Sequence, residues 1–318
     1  MSLRVAIQMD PMESVDINAD TTFALTETAQ ARGAEIWTYH PDDLSCLDSR
    51  LYARARKTRV QRVKGDHVTF GPYERLDLQD DVDVILMRQD PPFDMSYITA
   101  AHLLELLKGQ TLVLNDPAWV RSSPEKLFPL IFPGLLPETL ISRNLEEIAE
   151  FRKKHGDIII KPLYGNGGAG VFKVTEQYSN YNSLLEIFME RSREPFIAQA
   201  FLPDVSNGDK RVIIIDGEPA GAINRVPAEG EARSNLHVGG TAKPTDLTET
   251  DLAICARIGP ELKQRGLVLV GIDIIGDKLT EINVTSPTGV QELKRFTGID
   301  ASALFWDAAE RRFQAMSD

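Results

Sequence analysis

The segment 271–288 constrains the fold of this 318-residue chain more than any other segment, because it predicts a β-hairpin. Apolar and β-branched residues lie on both sides of a short polar loop at 276–278. A three-residue loop there pairs Ile275 with Leu279 across two antiparallel strands. The second half of the chain is therefore predicted to contain antiparallel sheet.

The same register brings three oxygen-bearing side chains to one face of the hairpin. Asp273 lies opposite Glu281, and Asn283, two residues further along, points to the same face. Two facing carboxylates repel each other unless a cation lies between them. Mg²⁺ binds one or two protein carboxylates, and its other positions take water and nucleotide phosphates. The pattern predicts a site for Mg²⁺, or Mn²⁺, together with a nucleotide; an ordinary hairpin with solvated polar residues is the alternative.

Charge and composition exclude several classes of partner. The formal net charge of −12 predicts a surface that repels nucleic acid and anionic membranes. No apolar run approaches the ~20 residues of a membrane span, and the start of the chain passes into a strand pattern without a cleavable signal. Cys46 and Cys255 form neither a C-x-x-C motif nor a disulfide framework, which suits a reducing compartment. We therefore expect a cytoplasmic protein.

Residues 1–122 predict a parallel α/β domain. Apolar strand runs alternate there with helical patterns that end at Gly33 and Gly109, so that a strand–helix–strand unit occurs twice. The strands are predicted at 3–9, 35–39, 82–87 and 111–114, and the helices at 20–32 and 94–108. A basic stretch at 50–64 predicts an exposed strand or hairpin, serving as a solvated face or a subunit contact.

A second domain of mixed α+β structure is predicted to begin near Ser123. Ser123 offers an N-cap, and a proline follows at the first helical position. Asn144 predicts the cap of another helix, and Thr248 begins a third helix with capping-box spacing that Pro260 should kink. The strands of this part are predicted at 157–161, 171–174, 196–201, 211–215 and in the hairpin described above.

The glycine-rich segment 165–170 formally matches G-x-G-x-x-G. A strand pattern rather than a helix follows it, and no G-K-[ST] is present, so neither a dinucleotide fingerprint nor a P-loop is predicted. In the remaining strand–loop–strand arrangement, backbone N–H groups of Gly165, Gly167 and Gly168 can close over nucleotide phosphates; a flexible surface turn is the alternative. Lys161, at the end of the preceding strand, can bring an ammonium group to the same phosphates, although a lone strand-end lysine is usually solvated.

Two further segments carry candidate chemistry. Arg211 opens an apolar strand that ends in a hairpin turn at 216–217, and on the metal-facing side it would offer a guanidinium fork to a transferring phosphoryl group. The polar, glycine-containing segment 225–240 has no apolar period and predicts a mobile loop. Such a loop beside a nucleotide site is commonly a lid that excludes water, with an exposed loop as the alternative.

Six motifs together closely resemble the ATP-grasp ligases, and among them the bacterial glutathione synthetase family. They are E-K-L-F around Lys126, Lys161-Pro162 with the glycine-rich loop, Asp209-Lys210-Arg211, the hairpin at 271–288, M-D-P at 9–11 and M-R-Q-D-P-P-F-D at 87–94. The resemblance covers nearly the whole chain. It implies a parallel α/β domain at 1–122 followed by a two-lobed ATP-grasp domain, with the glycine-rich loop in the lobe at 123–203 and the metal site and lid in the lobe at 204–318.

The resemblance also implies roles for individual residues, with ATP held between two antiparallel sheets. The residues expected to bind ATP are Lys126, Lys161, Gly165, Gly167, Gly168, Gln199, Phe201, Leu202 and Asp209. Those expected to act on the reacting groups are Arg211, Arg233 and Asn235, and the metal ligands are Asp273, Glu281 and Asn283. Those expected to contact substrate are Asp10, Arg88, Asp90, Ser286 and Thr288. The chain departs from the family at Ala200-Phe201, where Asn-Tyr is frequent, at Glu229-Gly230, where Gly-Gly is expected, and at Gln291, where arginine is common.

The implied reaction joins γ-glutamylcysteine to glycine, with ATP converted to ADP and phosphate, in a homotetrameric enzyme. The nearest alternative is another ATP-grasp carboxylate–amine ligase, such as a D-alanine–D-alanine or peptide-tail ligase, and the substrate loops around Arg88 decide between them. A non-catalytic ATP-binding protein that resembles the synapsins is an alternative of a different class. A protein kinase is excluded because no H-R-D or D-F-G segment accompanies the glycine-rich loop.

Overall fold

Three β-sheets follow one another along the chain in the computed structural model, which describes residues 2–228 and 240–317. The first part of the chain forms β1 (Arg4–Gln8), α1 (Thr21–Ala31), β2 (Glu35–Tyr39), β3 (Leu44–Leu47), β4 (Arg50–Val60), β5 (Val68–Asp77), β6 (Val84–Met87), α2 (Met95–Glu105), β7 (Leu112–Leu114) and α3 (Pro117–Ser122). No helix in the described residues is long and apolar enough to cross a membrane.

The first sheet has the order β3-β4-β2-β1-β6-β7, with β5 paired to β4. Its strands β2, β1, β6 and β7 are parallel, which confirms the predicted α/β architecture. The remaining pairs are antiparallel, so the sheet as a whole is mixed. The basic stretch predicted as a strand is β4, in a hairpin with β5. Strand β6 is buried along its whole length, as expected for a central strand covered on both faces.

The second sheet is antiparallel and has the order β10-β9-β11-β8. Its elements are β8 (Thr139–Ser142), α4 (Leu145–His155), β9 (Ile158–Pro162), β10 (Phe172–Val174), α5 (Tyr181–Arg191) and β11 (Phe196–Ala200). Helix α4 begins at the predicted cap, where the Asn144 side chain accepts hydrogen bonds from the N–H groups of Glu146 and Glu147. Ile148 of this helix packs with Ile160 and Leu185 in the core of this part of the chain.

The helix predicted to start at Ser123 is wrong. Helix α3 begins earlier, where the Asp116 side chain caps it, and ends before Ser123. Residues 123–127 form a turn, followed by a short 3-10 segment at Phe128–Ile131. Pro129 explains the difference, because it has no N–H to donate to the preceding helical turn. The chain therefore uses the earlier of two similar cap-and-proline signals.

The third sheet is antiparallel and has the order β14-β13-β12-β15-β16. The elements of this part are β12 (Asp209–Ile215), β13 (Glu218–Val226), β14 (Thr241–Thr245), α6 (Glu249–Gln264), β15 (Leu269–Ile275), β16 (Lys278–Asn283), α7 (Val290–Thr297) and α8 (Ala301–Ser317). Helix α6 begins with the predicted capping box between Thr248 and Asp251 and continues through Pro260. Helix α8 returns to the first part of the chain, where Trp306 Nε1 donates to the carbonyl of Leu25 at 2.8 Å.

The hairpin β15–β16 has the predicted facing pair but a different loop. Asp273 pairs with Glu281, as predicted. Ile275 pairs with Lys278 rather than with Leu279, because the loop contains two residues instead of three. The register shifts by one residue after Asp273, which leaves Thr280 as an extra residue in β16. The bulge compensates for the shorter loop, so the predicted face of the hairpin is preserved.

A single buried side chain, Asn115, connects the end of the first sheet to the third sheet. Its Nδ2 donates to the carbonyls of Leu269 and Val284, both at 2.8 Å. Its Oδ1 accepts from the N–H groups of Val268 at 2.8 Å and of Leu269 at 2.9 Å. All four bonds join segments that are more than 150 residues apart in sequence, so Asn115 fixes how β7 meets β15.

We expect Asn115→Leu to lower the free energy of unfolding by at least about 2 kcal/mol, because buried N–H and C=O groups would lose their partners. Urea unfolding measures this change. The same substitution at the exposed Asn180, whose side chain makes no capping hydrogen bond, is the matched control and should shift stability by less than about 0.5 kcal/mol. Equal effects at the two positions would contradict the bridging role of Asn115.

Candidate active site

A cavity of about 810 Å³ lies between the second and third sheets and extends to the carboxyl end of β6 in the first sheet. Its size is that of a small-molecule site. Most of the residues predicted from the sequence line it: Arg88, Asp90, Lys126, Lys161, Gly165, Gly167, Gly168, Gln199, Phe201, Leu202, Asp209, Arg211, Asp273, Glu281, Asn283, Ser286 and Thr288. Residues far apart in sequence therefore converge on one site.

Three predicted site residues are not placed on this cavity. Asp10 does not line it; its carboxylate accepts a hydrogen bond from the N–H of Asp90 at 2.8 Å and so holds the loop after β6. Arg233 and Asn235 lie outside the described residues, as does 229–239, the central part of the predicted lid.

Asp273 lies at the centre of a buried ion network. Arg211 Nε donates to Asp273 Oδ1 at 2.5 Å, and Arg211 Nη2 donates to Oδ2 at 2.9 Å. Arg225 Nη2 lies 3.0 Å from Oδ2 of the same carboxylate and 2.5 Å from Asp209 Oδ2. Burial alone would raise the pKa of Asp273, but the charges of Arg211 and Arg225 outweigh it and hold the pKa well below its usual range. The carboxylate is therefore ionised at neutral pH.

Arg225 is a site residue that the sequence analysis assigned to the mobile loop. It lies in β13, opposite Asp209 in β12, and is 4% exposed. The nearby carboxylates of Asp209 and Asp273 raise its pKa despite its burial. The predicted turn at 216–217 could have indicated this position of Arg225. If the hairpin around that turn is extended, the start of β12 lies opposite residues 224–225.

Glu281 faces two lysine ammonium groups. Its Oε1 lies 3.5 Å from Lys161 Nζ and 3.7 Å from Lys126 Nζ. Lys126 also donates to the carbonyl of Gly165 in the glycine-rich loop at 2.6 Å and to the side chain of Glu125. Burial lowers the pKa of Lys126, but Glu281 and Glu125 outweigh it, so the net shift is upward and the ammonium stays charged.

Glu125 is a second residue that the sequence analysis did not assign to the site. It lines the cavity, and burial followed by the charge of Glu281 raises its pKa to about 7. Its backbone carbonyl accepts from the N–H of Ile282, which attaches the turn at 123–127 to β16. The turn thereby carries Lys126 to the face of the hairpin.

The donor set on the hairpin face fits a hard divalent cation. Asp273, Glu281 and Asn283 share that face. Asn283 Nδ2 lies 3.4 Å from Asp273 Oδ2, so the side-chain oxygen Oδ1 of Asn283 is the atom left to act as a ligand. Each carboxylate oxygen has two acceptor sites. Oδ1 of Asp273 uses one of them for Arg211 Nε and keeps one for a metal. Carboxylate and amide oxygens are the ligands that Mg²⁺ prefers.

The glycine-rich loop between β9 and β10 lines another part of the cavity. Gly167 and Gly168 have φ values of 61° and 79°, a backbone region that other residues rarely adopt. At the end of β11, Gln199 donates to the Thr139 hydroxyl at 2.8 Å, and Lys173 Nζ lies over the ring of Phe201, 3.7 Å from its centroid. These contacts fix the strand end where a base is expected.

The opposite end of the cavity is formed where β6 meets the loop after β16. Arg88 donates to the carbonyl of Pro287 at 3.2 Å, and Ser286 Oγ donates to the carbonyl of Gln89 at 2.8 Å. The two loops are thereby tied together. Burial lowers the pKa of Arg88, which nonetheless stays charged at neutral pH because the reference value of arginine is far higher.

Two family models match the chain. The prokaryotic glutathione synthetase N-terminal domain matches residues 3–121, and the prokaryotic glutathione synthetase ATP-grasp domain matches residues 125–298. The chain is 59% identical over 312 residues to a glutathione synthetase of Brucella melitensis biotype 1, with 98% of this chain and 100% of that protein covered. It is 57% identical over 310 residues to a glutathione synthetase of Mesorhizobium japonicum, with coverages of 98% and 99%.

Solved structures resemble the chain in fold. The ATP-grasp ligase PsnB in complex with a minimal precursor aligns with a TM-score of 0.64 at 17% identity, covering 100% of both chains. D-cycloserine synthetase DcsG aligns with a TM-score of 0.67 at 16% identity, covering 97% of this chain and 99% of that chain. The expected ATP-grasp fold is thus confirmed.

We expect Asp273→Asn to lower the free energy of unfolding by about 3–5 kcal/mol, because it leaves the buried Arg211 guanidinium without a negative partner. Thermal and urea unfolding measure the change. Asp277→Asn is the matched control on the same hairpin, since that side chain is 70% exposed and contacts only Lys278 in the ion pairs of the described residues; it should have almost no effect. A stable Asp273→Asn variant would show that the network does not hold the sheet.

Proposed function

The chain belongs to the prokaryotic glutathione synthetase family and is an ATP-dependent ligase, and we propose that it joins glycine to γ-glutamylcysteine with conversion of ATP to ADP and phosphate. The products are glutathione, ADP and phosphate. The carboxyl group of the cysteine residue is the acceptor of the phosphoryl group, and the amine of glycine is the nucleophile.

The observation that supports this proposal is the meeting of three kinds of group in one cavity. Lys126, Lys161 and the glycine-rich loop suit nucleotide phosphates. Arg211 and the hairpin face suit the transferring phosphoryl group. Arg88, at the far end of the same cavity, suits an anionic substrate that approaches from the first sheet.

We propose that the first step transfers the γ-phosphoryl group. A carboxylate is a poor electrophile, so one of its oxygens first attacks the γ-phosphorus of ATP, the bond to the β-phosphate oxygen breaks, and an acyl phosphate and ADP form. Lys126 and Lys161 hold the phosphates in place of their present partner Glu281, and Arg211 stabilises the charge on the transferring group. Mg²⁺ or Mn²⁺, held by Asp273, Glu281 and Asn283, would offset further negative charge there.

The second step forms the amide bond. The neutral amine of glycine attacks the acyl carbon, phosphate leaves, and the nitrogen loses a proton. The hydroxyl groups of Ser286 and Thr288 are proposed to contact the donor, and Asp90, held by Asp10, lines its approach. Water must be kept from the acyl phosphate during this step, because it would hydrolyse that intermediate.

Location and assembly complete the proposal. We place the enzyme in the cytoplasm, which its two free cysteines suit. We propose a homotetramer on the basis of the family resemblance, and light scattering coupled to size-exclusion chromatography measures the assembly directly.

The purified chain should release one phosphate for each glutathione formed when it is given ATP, Mg²⁺, γ-glutamylcysteine and glycine. Coupled phosphate detection and chromatography of the thiol product measure the two amounts. D-alanine supplied as the sole substrate should give only background phosphate release. Turnover with D-alanine and none with γ-glutamylcysteine would replace the proposal by a D-alanine–D-alanine ligase.

We expect Glu281→Gln to lower kcat by at least about 100-fold, because a group that stabilises transition-state charge acts mainly on turnover. Circular dichroism should show an intact fold. Glu218→Gln, on the exposed start of β13, is the control and should retain full activity. Unchanged turnover of Glu281→Gln at saturating Mg²⁺ would remove Glu281 from the proposed metal site.

A further inference from the structure

Arg88 is a buried cation that has no acidic partner in the described part of the chain. It is 7% exposed and lines the cavity at the end of β6. Its guanidinium donates to the hydroxyl of Thr22 at 3.1 Å and to the carbonyl of Pro287 at 3.2 Å, both of which are neutral. No carboxylate of the described residues lies within the 4 Å of an ion pair with it. A buried charge without a counter-charge is unfavourable, so this position suits an anionic group of a ligand.

Asp20 lines the same end of the cavity. Its carboxylate caps helix α1, accepting from the N–H of Phe23 at 2.5 Å, and its backbone carbonyl accepts from Gln291 Nε2 at 2.5 Å. Burial raises the pKa of Asp20, whereas the Phe23 N–H and the charge of Arg88 lower it. Asp20 and Arg88 are thus close enough to interact electrostatically but too far apart to touch. The gap between them has opposite charges on its two sides.

Further carboxylates line the same end of the cavity. Asp16 and Glu292 line it together with Asp20. Asp90, which follows Arg88 after one residue in the chain, lines the cavity as well. Burial raises the pKa of Glu292, to which Asp16 also contributes. The surroundings of Asp20 therefore favour a positively charged group, and the two groups that Arg88 itself contacts are neutral. A ligand that satisfies both has an ammonium group and a carboxylate near each other.

We propose that Asp20 and Arg88 bind the α-ammonium and the α-carboxylate of the donor's γ-glutamyl group, and that Asp20 thereby selects donors that are linked through the glutamate side chain. This assignment rests on the proposed function. Only the γ-linkage leaves both charged groups free on one carbon; an α-linked dipeptide has used that carboxylate in its peptide bond. A site built to bind a charged group discriminates strongly against a donor that lacks it, because its own buried partner is left unpaired.

The test compares two donors with two forms of the enzyme. N-glutarylcysteine differs from γ-glutamylcysteine only in lacking the α-ammonium group. The wild-type enzyme should prefer γ-glutamylcysteine by at least about 100-fold in kcat/KM. Asp20→Asn should lose at least about 30-fold with γ-glutamylcysteine and change little with N-glutarylcysteine, so that the preference collapses. Asparagine caps helices as well as aspartate does, so the variant should fold.

Asp116→Asn is the matched control, because it changes another helix-capping aspartate that does not line the cavity. It should leave the preference unchanged. A mirror experiment pairs 4-aminobutanoylcysteine, which lacks only the α-carboxylate, with Arg88→Gln, and the preference over this donor should collapse in that variant.

An equal loss with both donors in Asp20→Asn would mean that Asp20 acts only through helix α1 and would overturn the assignment. An unchanged preference would mean that the ammonium group binds elsewhere and would overturn it as well. Neither result would touch the proposed function, since wild-type formation of glutathione from γ-glutamylcysteine is measured in the same experiment. Absence of that activity in the wild type would reject the proposed function itself.

Discussion

The ion network of Arg211, Asp273 and Arg225 is the interaction on which the rest of the site depends. It joins β12, β13 and β15, three neighbouring strands of one sheet. A buried carboxylate between two guanidinium groups is tolerated only when its hydrogen bonds are satisfied, and a slip of one residue would turn these side chains to the other face. Gly271 is part of the same constraint, because a Cβ there would lie 2.9 Å from Arg211 Cδ. The network therefore fixes the strand register that places Arg211, Arg225 and Asp273 along one side of the cavity, which forms its charged floor.

The cavity also depends on connections that bring other parts of the chain to this floor. The carbonyl of Glu125 holds the turn that carries Lys126 against β16. Asn115 fixes the end of the first sheet on β15, and Ser286 ties the loop after β16 to the loop that carries Arg88. Each connection consists of hydrogen bonds to backbone groups, which specify position more strictly than apolar packing does. These connections place positively charged side chains from distant parts of the chain around one cavity.

Local rules in the sequence predicted the parts of the fold that are decided locally. The caps at Asn144 and Thr248 and the facing pair of Asp273 and Glu281 follow from side-chain chemistry and from the two-residue repeat of a strand. The helix expected at Ser123 is absent because Pro129 has no N–H to donate to the preceding turn, and the carbonyl of Glu125 accepts instead from Ile282 in the distant β16. The extra residue at Thr280 follows from the two-residue loop of its own hairpin, whereas the burial of Arg225 depends on the carboxylate of Asp273 two strands away in the sheet. The chemistry of the site could thus be predicted from its residue types. Which arginine and lysine side chains neutralise Asp273 and Glu281 could be seen only in the assembled sheet.

The central claim is that the carboxylate of the donor is activated by phosphoryl transfer within this cavity. The most direct measurement uses γ-glutamylcysteine labelled with ¹⁸O in the cysteine carboxylate, with mass spectrometry of the phosphate released during turnover with ATP and glycine. Passage through an acyl phosphate predicts one ¹⁸O atom in each phosphate, because the carbon–oxygen bond breaks when glycine attacks. Phosphate without label, formed together with glutathione, would contradict the claim.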